Sequence, residues 1–223
     1  MVAWSVWNER NRVIHGREAR LPAEVVAATS SLLVAFTQVR EECTVRRGEI
    51  RRAREEAKWR PPDDNVLKLN VDGATYKEGG VGMRVIIRDN GGTIVRAVCQ
   101  QVRQSWDANV TEAKSIILGL KMALQCNASK VVVECDYLQV VELINRRKFD
   151  GSYFGMLSRE INAISSSFDV ILFCHVYREA NLAADVMAQL SPLEYSTRVW
   201  VGSCPSVVED VIASDFCFNV NES

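Results

Sequence analysis

The chain has 223 residues, of which 48% are hydrophobic, and it carries a formal net charge of −1. This length suits one globular domain of roughly 130 to 150 residues together with extra segments. A domain of that size buries a core without disulfides or structural metal ions. No apolar run approaches the roughly 20 residues that span a bilayer, so we expect no membrane partner.

Cysteine usage and the N-terminus bear on the compartment. The seven cysteines include no Cys-x-x-Cys pair, and the N-terminus shows no continuous apolar run of the secretory kind. These features favour reduced, mostly buried thiols and an intracellular protein, either nuclear or cytoplasmic.

Charge is unevenly distributed along the chain. Residues 1–60 hold 12 Lys/Arg and 8 Asp/Glu, whereas residues 61–223 hold 15 and 20. The basic segment is only weak evidence for a polyanionic partner. The acidic remainder is where we expect a metal site.

Pro61-Pro62 marks a boundary, because a proline disfavours helix at the residue before it. Three patterns typical of helices precede it, at residues 4–13, 21–39 and 46–60, and the last is a charged stretch typical of a solvated helix or linker. We therefore divide the chain into a helical N-terminal extension (1–60), a main domain (62–195) and a C-terminal tail (196–223).

After the prolines the pattern changes to strands. Alternating residues over 66–72 end at Asp72-Gly73, and two glycines precede a second apolar run over 81–88. The sequence Asp89-Asn90-Gly91-Gly92 is a strong hairpin signal before a third strand over 93–100. An antiparallel meander of three strands is therefore predicted.

Helices and strands then alternate. Apolar residues at helical spacing predict a helix over 110–126, and the short apolar run KVVVEC at 130–135 predicts a strand covered on both faces. The remaining predictions are helices over 137–145 and 154–165, a strand over 169–177 and a helix over 179–190. In the tail, 199–201 fits a short strand, and we expect 214–223 to be mobile. The order βββαβααβα predicts an α/β fold.

Four acidic residues fall at the ends of these elements. Asp72 ends the first strand, Glu112 lies in the first turn of the first helix, and Asp136 follows the fourth strand. Asp185 lies in the middle of the last helix, one turn after Asn181. Each acid alone has an ordinary structural explanation as a turn residue, a helix cap or a surface charge. For Glu112 this is a capping box with Asn109 as N-cap.

The combination favours a metal site. Open α/β sheets bind ligands outside the carboxyl ends of their strands. If the first and fourth strands are parallel neighbours, Asp72 and Asp136 lie close together. Clustered carboxylates repel one another unless a cation neutralises them, and their hard oxygens suit Mg²⁺ or Mn²⁺ rather than zinc. Four such acids suffice for two ions acting on a phosphodiester.

Five sequence blocks in this order resemble the type 1 ribonuclease H family, in the branch found in plant non-LTR retrotransposons. They are KLNVDGA (68–74), GVGMRVIIRDNGG (80–92), TEAKSIILGLKMAL (111–124), VVVECDYLQVVELI (131–144) and HVYREANLAADVMAQL (175–190). Residues 1–16 also resemble the W-x-x-W-x-x-R-N segment that follows the zinc-binding reverse transcriptase region in such polyproteins.

The resemblance implies a ribonuclease H-like fold with a five-stranded mixed sheet in the order 3-2-1-4-5. It implies hydrolysis of the RNA strand of RNA–DNA hybrids, with two Mg²⁺ or Mn²⁺ ions per site, nucleic acid as partner, no small-molecule cofactor and a monomer. The implied catalytic and metal-binding residues are Asp72, Glu112, Asp136 and Asp185. The implied substrate-binding residues are Gly73, Asn109, Arg178 and Asn181.

The sequence also departs from the family. The mobile histidine loop before the last helix is short here, so His175, in the predicted strand, is either a core residue or an auxiliary catalytic group. A basic protrusion that grips hybrid is absent, and Leu138 replaces a residue that is polar in many relatives. These departures leave open an alternative: a catalytically silent, domesticated module that binds nucleic acid or a protein. A retroelement relic without a role is a third reading.

Overall fold

The computed structural model describes residues 9–10, 13–14, 18–27, 30, 58–76, 80–147, 150–189 and 196–217. The chain divides into two compact units, Met1–Glu56 and Ala57–Ser223. In the first unit, residues 22–27 are helical, within the predicted helix 21–39, and Arg20 forms an ion pair with Glu9. Most of the predicted N-terminal helices, and residues 218–223, lie outside the described residues. Among the helices in the described ranges, none has the length and apolar character to cross a bilayer.

The second unit is a mixed sheet with helices on both faces. Its strands are β1 (Leu67–Thr75), β2 (Val81–Arg88), β3 (Ile94–Val102), β4 (Lys130–Cys135), β5 (Val170–His175) and β6 (Thr197–Val201). Its helices are α1 (Ala108–Gln125), α2 (Leu138–Asn145), α3 (Tyr153–Ser165), α4 (Leu182–Gln189) and α5 (Ser206–Cys217), with a 3₁₀ turn at Arg178–Asn181 before α4.

The strand order is β5-β4-β1-β2-β3-β6. The α/β class and the order 3-2-1-4-5 are confirmed, but the sheet has six strands rather than five. The additional strand β6 contains the short strand predicted over 199–201. It pairs antiparallel with β3, with Trp200 opposite Ala97. Four of its five residues are exposed, so an edge strand of this kind leaves only a weak alternating pattern in the sequence.

Strand β1 has two faces of different character. Leu69 and Val71 belong to the core cluster formed with α1, α2 and α3. The alternate residues are polar, and their side chains point to the other face because the side-chain period of a strand is two. They are Lys68, Asn70 and Asp72. That second face is covered by α4 and α5, which form a smaller apolar cluster around Ile86 and Met187.

The helix α1 begins two residues earlier than predicted. Its N-cap is Asp107, and the side chain of Asn109 accepts a hydrogen bond from the backbone N–H of Val110 at 2.8 Å. The capping box with Asn109 as N-cap is therefore wrong, because the helix already includes Asn109. The last predicted helix also differs, since residues Arg178–Asn181 form a 3₁₀ turn and only Leu182–Gln189 is α-helical.

A buried arginine joins β2 to the C-terminal helix. The Arg88 side chain is 0% exposed and pairs with Asp215 of α5 at 2.7 Å. Its guanidinium also donates to Asn70 Oδ1 at 2.8 Å and lies 3.5 Å from the centre of the Trp59 ring. A charge without water requires such partners, so α5 packs onto this unit. Residues 214–217, within the stretch expected to be mobile, therefore belong to a helix that is held by this ion pair.

We predict that Asp215→Ala lowers the free energy of unfolding by about 3 kcal/mol, because it leaves the buried Arg88 charge without its carboxylate. Urea denaturation measures the change. Asp210→Ala, at an exposed position of the same helix, is the matched control and is expected to change stability by less than about 0.5 kcal/mol. Equal losses in both variants would contradict the proposed role of the ion pair.

Candidate active site

Parallel pairing of β1 with β4 places two acids side by side. Val71 is the Cα partner of Cys135 in this ladder, so the next residues, Asp72 and Asp136, lie just beyond its last pair. Asp72 does not end β1 as predicted, because this strand continues to Thr75 in its pairing with β2. Asp72 is in β1 and Asp136 directly follows β4. The sequence predicts that these two carboxylates lie close together if the two strands are parallel neighbours, and the structure contains this parallel pairing.

Helix α1 delivers the third acid. It packs closely on β1, because a Cβ at Gly119 would lie 3.2 Å from Val71 Cγ1. A Cβ at Gly73 would lie 3.0 Å from the backbone nitrogen of Glu112. The Glu112 side chain turns towards the sheet, where its Oε1 accepts a hydrogen bond from the Gly73 N–H at 3.1 Å. Gly73 is therefore required for the close approach of the helix that carries Glu112.

The fourth acid comes from the opposite face of the sheet. Asp185 lies in the first turn of α4 rather than in the middle of a longer helix. Arg178, whose side chain is 69% exposed, forms an ion pair with Asp185. The Asn181 side chain is buried, donates to the Val71 carbonyl at 2.8 Å and accepts from Asn70 at 3.1 Å. Asn181 therefore attaches the start of α4 to β1 immediately before Asp72.

The four carboxylates influence one another. Burial raises the pKa of Glu112 to about 8, and the nearby charges of Asp72 and Asp136 add to the effect. Burial also raises the pKa of Asp72; Arg84 opposes this, while Asp136 and Asp185 increase it. Burial likewise raises the pKa of Asp136, against the opposing charge of Arg178. The structure thus gathers the four predicted acids into one cluster of crowded negative charge.

The donor set fits a hard divalent cation. Ligand atoms of Glu112, Cys135 and Asp136 all lie within 4.8 Å of one another. The Cys135 thiol donates to Glu112 Oε2 at 3.5 Å, and burial together with the Glu112 charge raises the pKa of that thiol. It therefore stays protonated and is a poor ligand, since metals bind the thiolate. Carboxylate oxygens remain, which are the ligands that Mg²⁺ and Mn²⁺ prefer.

Two further predicted residues border the cluster. His175 ends β5, stacks edge-to-face on Tyr177 with ring centroids 5.8 Å apart, and is close enough to Asp136 to oppose the rise in its pKa. Asn109 is partly exposed in the first turn of α1, three residues before Glu112. Substrate binding by Gly73, Asn109, Arg178 and Asn181, like the auxiliary role of His175, remains a prediction.

Sequence reasoning missed Arg84, which lies in β2 directly opposite Asp72. Its side chain is 0% exposed and its Nη1 lies 2.9 Å from Asp72 Oδ2. The available signal was a charged residue within the apolar run VGMRVIIR. The hairpin turn after that run, combined with antiparallel alternation, places Arg84 on the same face of the sheet as Asp72.

Comparison with known proteins agrees with this architecture. One similar structure is ribonuclease H1 from the archaeon Halobacterium salinarum NRC-1, with 18% identity, a TM-score of 0.50, and coverage of 54% of this chain and 92% of that one. Another is the N-terminal ribonuclease H domain of a Mycobacterium tuberculosis protein, solved as a fusion with maltose-binding protein. It has 24% identity, a TM-score of 0.50, and coverage of 54% and 94%. The second unit thus has a ribonuclease H-like fold.

The sequence pattern of the reverse transcriptase-like family matches residues 70–191, which is more than half of the chain. No curated protein sequence gives a significant match. This chain belongs to the reverse transcriptase-like family.

The raised pKa of Glu112 predicts how stability depends on pH in metal-free protein. The folded state holds this proton up to about pH 8, whereas the ordinary glutamate pKa is 4.5. The contribution of Glu112 to the free energy of unfolding is therefore fully present below about pH 4.5 and is lost as pH rises through about 8. We predict that Glu112→Gln, which keeps Oε1 for Gly73, raises the free energy of unfolding at pH 8 by about 2 kcal/mol or more.

Urea denaturation in EDTA between pH 5 and pH 8 measures this effect. Glu160→Gln is the control, because the Glu160 side chain is 44% exposed and pairs with a surface lysine at 2.9 Å. Parallel pH profiles for wild type and Glu112→Gln would show that Glu112 ionises normally.

Proposed function

We propose that this protein is a divalent-metal-dependent endonuclease that hydrolyses the RNA strand of RNA–DNA hybrids. The observation that carries the proposal is the cluster of four carboxylates, Asp72, Glu112, Asp136 and Asp185, at the carboxyl edge of a ribonuclease H-like sheet. The catalytic domain we propose is residues 62–195. We expect it to act as a monomer inside the cell, nuclear or cytoplasmic.

Two bound Mg²⁺ or Mn²⁺ ions would supply activation of the attacking water and neutralisation of the departing 3′ oxygen. The residues that would hold them are the four acids. Glu112 must lose its proton before it can serve as a ligand, so binding releases a proton near neutral pH. Gly73 and Asn181 set the geometry, because they attach α1 and α4 to the end of β1.

Groups around the cluster suit a polyanionic substrate. Arg178 is exposed and its guanidinium offers more donors than its bond to Asp185 uses, so it can contact a phosphate oxygen. Asn109, partly exposed beside Glu112, is suited to the sugar–phosphate backbone. Contacts to 2′-hydroxyl groups in the wide minor groove are how such a site would select RNA over DNA.

A cation flanked by aromatic rings lies on the outward side of α1. Lys114 Nζ is 4.5 Å from the centre of the Trp106 ring and 5.6 Å from that of Tyr153. The Tyr153 side chain is about half exposed, at 49%. Lysine with aromatic rings is a common arrangement on surfaces that follow a nucleic-acid backbone. Lys114 is two residues from Glu112 and lies on another face of α1, so it supports contact with nucleic acid beyond the carboxylate cluster rather than at it.

One observation favours the alternative of a catalytically silent binding module. Two of the four acids already have arginine partners, since Asp72 pairs with Arg84 and Asp185 with Arg178. A carboxylate held by a guanidinium is a weaker ligand for a metal ion. The two functions are separated by a direct test of cleavage.

We predict that the full chain cleaves the RNA strand of a labelled RNA–DNA hybrid in Mg²⁺ or Mn²⁺. Asp72→Asn and Asp136→Asn should each lose about a hundredfold or more, since even residues that only support metal ligands contribute about 10- to 100-fold. Asp136→Asn should remain folded, because it reduces the repulsion within the cluster. Asp72→Asn also reduces this repulsion but removes the charge that pairs with the buried Arg84, so we expect it to be folded but less stable than wild type.

Asp169→Asn, at an exposed site just before β5, is the matched control and should cleave as wild type does. Circular dichroism establishes that each protein is folded. A folded wild type that cleaves in neither metal, but still binds the hybrid in a gel-shift assay, would support the silent module instead.

A further inference from the structure

Arg84 is the one buried cation in direct contact with the carboxylate cluster among the described residues. Its side chain is 0% exposed, and its Nη1 lies 2.9 Å from Asp72 Oδ2. Its Nη2 donates to the Tyr76 hydroxyl at 2.5 Å. The guanidinium is therefore held by groups on β1 and at its end, within the sheet itself.

We propose that Arg84 is a built-in counter-ion that weakens the binding of a divalent cation at Asp72. The proposal rests on the proposed function, in that it concerns the same carboxylate site. It assigns to Arg84 the role of setting the metal concentration at which the site fills.

Coulomb's law gives the direction of the effect. A guanidinium bonded to one oxygen of Asp72 lies within several Å of any ion bound at the other oxygen, and the two positive charges repel. In a buried site this repulsion is screened far less than in water. The guanidinium also occupies a lone pair that would otherwise face the ion. Both effects reduce affinity.

Arg84 cannot easily move away when an ion arrives. Every residue of its strand is buried, and withdrawal from Asp72 would place an unpaired charge in the interior. Arg178 provides the contrast, because its side chain is 69% exposed and can swing into water when Asp185 binds a ligand. The two arginines therefore differ: Arg84 is a permanent competitor and Arg178 a displaceable one.

The test is calorimetric titration of the full chain with Mn²⁺ alone, at pH 8 and without nucleic acid. Arg84→Met removes the charge and keeps the length of the side chain, and we expect it to bind Mn²⁺ at least tenfold more tightly than wild type. Arg84→Lys, which keeps the charge, should stay within about threefold of wild type. If the methionine variant does not fold, Arg84→Gln removes the charge with the same expected gain.

Arg88→Met is the matched control, because Arg88 is an equally buried arginine of β2 whose acidic partner, Asp215, lies outside the cluster. It should not tighten Mn²⁺ binding. Unchanged or weaker binding by the charge-removing variants would overturn the proposal, and so would an equal gain in the Arg88 control.

These outcomes are distinct from failure of the proposed nuclease. Wild type that cleaves hybrid, with no change in Mn²⁺ affinity on removal of the Arg84 charge, overturns the role of Arg84 alone. Mn²⁺ binding by Arg84→Met but not by wild type supports the role of Arg84, and catalysis by the natural chain is then decided by the cleavage assay. Absence of binding in both overturns the role of Arg84, whereas the nuclease is judged by cleavage of the hybrid.

Discussion

Parallel pairing of β1 with β4 is the constraint on which the site depends. It brings Asp72 and Asp136 to one edge of the sheet. Every second residue of β1 is polar, so a row of polar side chains leads to that edge. Lys68, Asn70 and Asp72 lie on one face of β1, whereas Leu69 and Val71 face the main core. A strand with one polar face is stable in the interior only if every polar group on it finds a partner. The site is thus the last position of a polar row that runs through the centre of the sheet.

Crowded negative charge at that edge is balanced in three ways. A proton stays on Glu112, whose pKa is raised to about 8. A buried guanidinium holds Asp72, and an exposed one holds Asp185. A bound divalent cation would affect these three groups differently. Glu112 would lose its proton, which is easier at higher pH, and Arg178 would rotate into water. Arg84 would stay in place and repel the ion. The negative charge of the metal-free site is therefore already largely neutralised. The affinity for a metal ion is the difference in free energy between neutralisation by these groups and neutralisation by the ion.

Sequence patterns predicted the elements well where periodicity is strong. Residues 81–88 and 130–135 were predicted with the observed bounds, because continuous apolar runs end at clear turn signals. Sequence patterns failed where the role of a residue depends on contacts with residues that are distant in the sequence. Glu112 fits a helix cap in the sequence, yet it bonds to Gly73 across 39 positions of chain. Arg84 faces Asp72 only because of hairpin register. Strand β6 was predicted over only its last three residues, 199–201, because an exposed edge strand leaves a weak pattern in the sequence.

The polar row continues beyond the part of the chain that the family pattern covers. Asn70 accepts from Arg88 and donates to Asn181 and Glu134, and Arg88 in turn pairs with Asp215 of α5. The match to the family ends at residue 191, so α5 lies outside it. Residues after 191 therefore complete the charge balance of the same buried row that ends at the carboxylate cluster. Asn181 belongs to this row and attaches the start of α4 to β1. A chain of hydrogen bonds and an ion pair therefore connects the segment that carries Asp185 to the C-terminal helix α5.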